Sequence, residues 1–216
     1  MKWWTFYFLI ATISLSGIET YVYKINTEGH ESEITWTVDH QKSEKVIHIK
    51  GEGEGETTFV VTTEKLVPLS FENNAKKLHK QYSITREKQL LRIHREKGGN
   101  REERSFRIGN QPWVQEFNFS LKPFILSSEK SFTFTIVDPK KLNIQTLVAI
   151  KRGIEPFQQC GKSCSALRVK ITLPGFKKMF WHADAWFDPD DGTLLMYEAN
   201  EGPNTPTSVT TLFSKK

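Results

Sequence analysis

The chain has 216 residues, 30 of them basic and 25 acidic, for a net charge of +5, and 12% of it is aromatic. That length suffices for a real core in one β-rich unit. The charge excess is mild and interleaved with acids, which argues against nucleic acid as a partner.

The first residues read as an export signal. Lys2 supplies a positive start, and Trp3 to Leu15 is an uncharged, mostly apolar run. Ser14-Leu15-Ser16 places small residues at the recognition positions, so cleavage is expected after Ser16, leaving one β-rich domain over 17–216. Losing Lys2 would lower the net charge from +5 to about +4. The run is too short to span a bilayer, which takes about 20 residues, and no later segment reads as a transmembrane helix. No cysteine stands near the cleavage site to carry a lipid anchor.

Short runs with period-two alternation follow, separated by glycine, proline and asparagine. In order they are Tyr21–Ile25, Ile34–Val38, Val46–Lys50, Thr57–Thr62, Leu66–Phe71, Leu78–Arg86, Leu90–Arg95 and Glu103–Ile108. Gly51 to Glu56 reads as a strand break, and Lys97-Gly98-Gly99-Asn100 as a hairpin loop. The basic residues between Lys76 and Arg104 alternate with Glu87, Glu96, Glu102 and Glu103, the pattern of a solvated mixed-charge face.

The pattern changes at Gln111-Pro112-Trp113. Trp113, Phe117, Leu121 and Phe124 fall at helical spacing, so one short helix is expected between Pro112 and Leu126, ended or kinked by Pro123. Strands then resume: Phe132–Val137, Asn143–Lys151, Ala166–Leu173, Phe180–Phe187, Leu194–Asn200 and Ser208–Phe213. Gly153 to Ser163 reads as a loop. The whole predicts a mainly β fold: an antiparallel curved sheet or incomplete barrel carrying one short helix.

Chemistry-bearing groups are sparse. Cys160 and Cys164 read as a structural disulfide in an exported chain; free thiols, a redox dithiol and a metal site are the alternatives. His182, Asp184 and Trp186 share one face of a strand, and the first two suit a base and its orienter or a pair of metal ligands. A rim-exposed polar pair accounts for them equally simply. Asp188-Pro189-Asp190-Asp191-Gly192 has the residues of a hairpin turn and lacks the spacing of a calcium loop. No metal site, cofactor fingerprint or activated nucleophile is legible.

Aromatic residues are the stronger signal. A half-open barrel lined by Trp36, Trp113, Phe117, Phe124, Trp181 and Trp186, with His182 and Asp184 nearby, would hold an apolar ligand; filling a packed core is the simpler use of the same side chains.

The second half has a familiar order. It runs from a helix ending in Leu121–Leu126, through Phe132-Thr133-Phe134 and Ala166-Leu167-Arg168-Val169, to Ala185-Trp186-Phe187-Asp188 and Asp191-Gly192-Thr193-Leu194-Leu195. This resembles an exported bacterial family of unknown function with a Trp-Phe-Asp hairpin near its end. The meander opening on Tyr21-Val22-Tyr23 and Trp36 is similar in layout. The chain departs from that pattern at Leu195-Met196, where the family often has proline, and in its two cysteines. The resemblance assigns no catalytic residues and implies a fold like that of periplasmic lipoprotein-carrier half-barrels.

The expectation is a non-enzymatic protein of the periplasm of a two-membrane bacterium. Its partner would be a lipid or other amphiphile, or an envelope protein. The rival is a metal- or His-dependent hydrolase of envelope glycans or peptides, built on His182 and Asp184.

Overall fold

A computed structural model describes residues 17–41, 45–175, 181–200 and 205–216. The export signal expected over residues 1–16, Phe180 at the start of one expected strand, and the turn that Gly202-Pro203-Asn204 is expected to make lie outside them.

All fourteen expected strands are present. They are β1 (Ile18–Thr27), β2 (His30–Gln41), β3 (Val46–Gly53), β4 (Glu56–Thr63), β5 (Pro68–Ala75), β6 (Lys80–Glu87), β7 (Leu90–Lys97), β8 (Asn100–Arg107), β9 (Ser131–Asp138), β10 (Asn143–Gln159), β11 (Lys162–Thr172), β12 (His182–Phe187), β13 (Leu194–Asn200) and β14 (Thr207–Lys215). They form one antiparallel sheet in the order β8-β7-β6-β5-β4-β3-β2-β1-β14-β13-β12-β11-β10-β9. Two meanders are thus joined by the pairing of β1 with β14.

The sheet curls without closing. The Arg95 guanidinium on β7 donates to the carbonyls of Pro139 (2.9 Å) and Lys140 (2.8 Å), in the turn after β9. A side chain therefore spans a gap that no backbone ladder closes, and the result is an incomplete barrel. The two edge strands are protected differently. β8 is charged, and its Glu102 and Arg101 pair across to Arg95 (2.6 Å) and Glu96 (3.1 Å). The free edge of β9 is covered by the segment from Pro112 to Gln115, which runs parallel to it. Val114 N–H donates to Thr135 O (2.9 Å) and Thr135 N–H to Pro112 O (2.7 Å).

The expected short helix is present, but that cover delays its start. Trp113 is in a β-bridge, not on a helical face. The helical segment is two single turns, α1 (Phe117–Ser120) and α2 (Lys122–Ile125), joined at Leu121. Satisfying the exposed backbone of β9 outweighs one more helical turn, because a buried strand edge left unpaired costs about 1–3 kcal/mol per group. The helical segment plugs the concave side. Phe119 meets the rings of Tyr21 (5.6 Å) and Trp36 (5.5 Å) edge-on, and Leu121, Phe124 and Ile125 are buried. Each such side chain contributes about 1.5–3 kcal/mol by leaving water.

Two further expectations are corrected. Gly51 and Gly53 belong to β3, and only Glu54-Gly55 turn. Gly51 lies opposite Trp36, and a Cβ there would stand 2.7 Å from the indole. The position needs glycine because the ring packs flat over the strand. The segment expected as a loop between Gly153 and Ser163 is instead a long β10–β11 hairpin with a two-residue turn at Cys160-Gly161. Both turn residues have positive φ (47° and 78°), the geometry that matches strand twist in two-residue hairpins.

The Cys160–Cys164 disulfide is also corrected: both thiols are free and exposed. Cys164 is the third residue beyond the turn, opposite Phe157, while Cys160 is in the turn itself. Two strand residues alone separate Cα atoms by about 6.7 Å, and the added turn step carries the pair beyond the roughly 7 Å limit for a disulfide.

Candidate functional site

Strand alternation divides the candidate residues between the two faces. On β12, Ala183, Ala185 and Phe187 face the concave core and are buried. His182, Asp184 and Trp186 face the other way. Asp184 accepts from Arg168 Nε at 3.0 Å, and His182 is 3.9 Å from it on an exposed rim. Trp186 is nonetheless only 8% exposed. The β10–β11 hairpin bends at a bulge between Lys151 and Gly153 and lies over it. There Trp186 Nε1 donates to Glu155 (2.6 Å), Phe157 packs at 6.5 Å, and Arg168 covers the ring at 5.4 Å. The hairpin tip reaches β14, with Cys160 Sγ 3.6 Å from the Phe213 carbonyl. The outer face thus carries a packed arm rather than an open cleft at Asp184.

The Asp188–Gly192 carboxylates shape a turn. Asp188 accepts from the N–H groups of Asp190 (2.8 Å) and Asp191 (3.4 Å), and Asp191 accepts from Thr193 N–H (2.8 Å). Asp191 also takes the Lys215 ammonium. Burial opposes its ionisation, but these hydrogen bonds outweigh it and bring its pKa down to about 2.

The concave face holds the opening with the strongest chemistry. A cavity of about 270 Å³ lies between the start of α1 and strands β1, β2, β13 and β14. Tyr23, Trp36, Phe117, Leu194 and Tyr197 form its walls. Of the residues expected at a ligand site, Trp36 and Phe117 meet here. Trp113 is core, donating to Gln115 (3.3 Å); Phe124 stacks on Phe132 (5.5 Å); Trp181 donates to Asn200 O (2.8 Å). Ile25 and Ile34 are shared with a wider opening of about 530 Å³ that runs to the exposed Leu78. The two adjoin at these residues on the inner surface.

One group in this cavity has no sequence signal of its own. Gln115 pairs with both backbone groups of Val137, donating to its carbonyl (3.2 Å) and accepting from its N–H (3.2 Å). This fixes the segment along β9 and turns the next side chain, Glu116, into the cavity. No lysine, arginine or histidine among the described residues pairs with Glu116, and it makes no hydrogen bond there. Burial alone pushes its pKa up to about 8. Tyr82 and Tyr197 are close enough to feel it: burial first, then Glu116, raises both phenols above the usual range. The Oδ1 of Asn118, another wall residue that is 9% exposed, also lacks a partner. The only hint in the sequence was three polar residues, Gln115, Glu116 and Asn118, interrupting an aromatic run.

Among the described residues no three His, Cys, Asp or Glu gather as metal ligands, and no helix is long and apolar enough to cross a membrane.

Among solved structures, the chain is similar to a beta-barrel-like protein of the domain of unknown function DUF1849 from Brucella abortus. The two share 6% identity over 92% of this chain and 97% of that one, with a TM-score of 0.50. The fold is that of a bacterial β-barrel-like protein of unknown function. The hypothetical lipoprotein YmcC from Escherichia coli matches at 14% identity over 91% of this chain and 83% of that one, TM-score 0.44. A putative outer membrane lipoprotein-sorting protein domain from Vibrio parahaemolyticus matches at 8% over 93% and 85%, TM-score 0.26. No family model and no curated protein matches the chain. The resemblance read from the Trp186-Phe187-Asp188 hairpin, to an exported bacterial family of unknown function, agrees with the Brucella abortus structure at the level of fold.

Proposed function

We propose that the protein is an exported envelope protein that binds an amphiphile on the concave side of its sheet, without chemical turnover. The observation that carries this is the pair of adjoining openings on the inner surface. The inner opening has aromatic and aliphatic walls with Glu116 and Asn118 among them, and the outer one, past Leu78, mixes Ile25 and Ile34 with charged residues such as Glu54 and Lys77. Ligand sites commonly combine apolar walls with a few placed polar groups in this way. The Lys2 and Trp3–Leu15 start supports export, and the periplasm is the compartment that reading implies.

Native mass spectrometry of the protein, extracted gently and then mixed with single-chain amphiphiles below their micelle concentration, tests the reading. A one-to-one adduct that survives desolvation and is lost on widening the cavity with Trp36→Ala is the expected outcome. A protein that stays empty with every amphiphile offered would overturn it.

A further inference from the structure

An unpartnered carboxyl facing aromatic rings narrows the ligand's head group. Glu116 points into the 270 Å³ cavity, and no cationic residue lines that cavity. Asn118 presents a second acceptor, its Oδ1, also unpaired and almost wholly buried. Trp36, Phe117 and Tyr197 add π faces to the same space. A buried acceptor without a donor, as Asn118 Oδ1 is, costs free energy, so a ligand that supplies a donor beside the half-buried Glu116 gains what the empty site lacks.

We propose that this pocket selects amphiphiles whose head is a protonated primary amine. The ammonium would be held by the Glu116 carboxylate and Asn118 Oδ1 and faced by the rings of Trp36, Phe117 and Tyr197. The assignment rests on the amphiphile-binding reading and deepens it. A primary ammonium offers three N–H donors and a charge that aromatic faces attract. A carboxylate or phosphate head fits poorly. It would keep Glu116 in its neutral form and bury its own charge with no lysine or arginine in the cavity to balance it. A hydroxyl head supplies only one donor. The aliphatic chain would leave along Ile25 and Ile34 toward the opening at Leu78.

Binding carries a proton signature. Empty, the site holds Glu116 largely protonated at neutral pH, since burial raises its pKa to about 8. Seating a cation favours the carboxylate, so the carboxyl proton is released to solvent as the ammonium enters.

Isothermal titration at pH 7 of the full protein with dodecylammonium, dodecanol and dodecanoate, each below its micelle concentration, tests this. Repeating the titrations in two buffers of different ionisation enthalpy counts the protons. The expected result is at least tenfold tighter binding of the amine than of the alcohol, with close to one proton released. Glu116→Gln should bind the alcohol as before and lose the preference for the amine. Glu116→Asp should keep part of it, and circular dichroism would verify the fold of both. Equal affinity for the three chains, tightest binding of dodecanoate, or amine binding without proton release would overturn the head-group assignment while leaving the amphiphile reading intact. No saturable binding of any of the three would overturn both.

Discussion

Replacing Glu116 by glutamine should change how stability depends on pH, in a direction fixed by the geometry. Burial raises the folded-state pKa of this carboxyl from its ordinary value of 4.5 to about 8. A carboxyl whose folded pKa is raised binds more protons folded than unfolded between those two values. Folding stability therefore falls as pH rises through that window and levels off above it. At about 1.36 kcal/mol per pKa unit, the wild type should lose about 3 kcal/mol between pH 5 and pH 8 that Glu116→Gln does not lose. Other groups contribute equally to both proteins and cancel in the difference. Urea denaturation at five or six pH values supplies the two curves. They should coincide near pH 4.5 and diverge steadily, with the glutamine variant the more stable at pH 8. Parallel curves would show that Glu116 ionises as freely as a surface carboxyl, and the account of an unpartnered group facing the cavity would fail.

Four other perturbations follow from the same structure. Gly51→Ala places a Cβ 2.7 Å from the Trp36 indole, so it should cost about 1–3 kcal/mol and shift Trp36 emission; an unperturbed spectrum would contradict the packing. Asp191→Asn removes the acceptor for Lys215 and Thr193. The Asp191 pKa is lowered, so its contribution is present above pH 4 and lost toward pH 2; discounted for its exposure it is about 1 kcal/mol at pH 7, read from chemical denaturation. Thiol titration of the native protein without reductant should count two reactive groups at Cys160 and Cys164, and a count of zero would restore the disulfide. Trp186→Ala should release the β10–β11 arm, seen as faster proteolysis or amide exchange between Gly153 and Ser163 than in the wild type, with little change at Trp36.

The strands were legible because a sheet with one buried face writes its pattern directly into the chain. Val46, His48 and Lys50 alternate with Ile47 and Ile49, and the structure buries Ile47 and Ile49. Where that condition fails, so does the reading. The hairpin tip from Gln158 to Ser163 is solvated on both faces and carries no alternation, so a regular strand pair looked like a loop. Trp113 has helical spacing to Phe117, but Thr135, twenty-two residues away, offers backbone partners that the spacing cannot register. Glu116 was the least visible. Its surroundings come from Tyr82 on β6 and Tyr197 on β13, and only the curl of the sheet brings them to one place. The His182–Asp184 pair was visible, and the alternation correctly separated it from Ala183 and Ala185. The arm lying across Trp186 could not be foreseen.

The central claim is that the concave path, not the face bearing Trp186, receives the ligand. Heteronuclear NMR titration with dodecanol, following the indole N–H signals of Trp36, Trp113, Trp181 and Trp186 among the six tryptophans, tests it most directly. The account predicts saturable shifts at Trp36, with backbone shifts at Phe117 and Tyr197, while Trp186 stays in place. Shifts centred on Trp186 and His182, or none at Trp36, would contradict it.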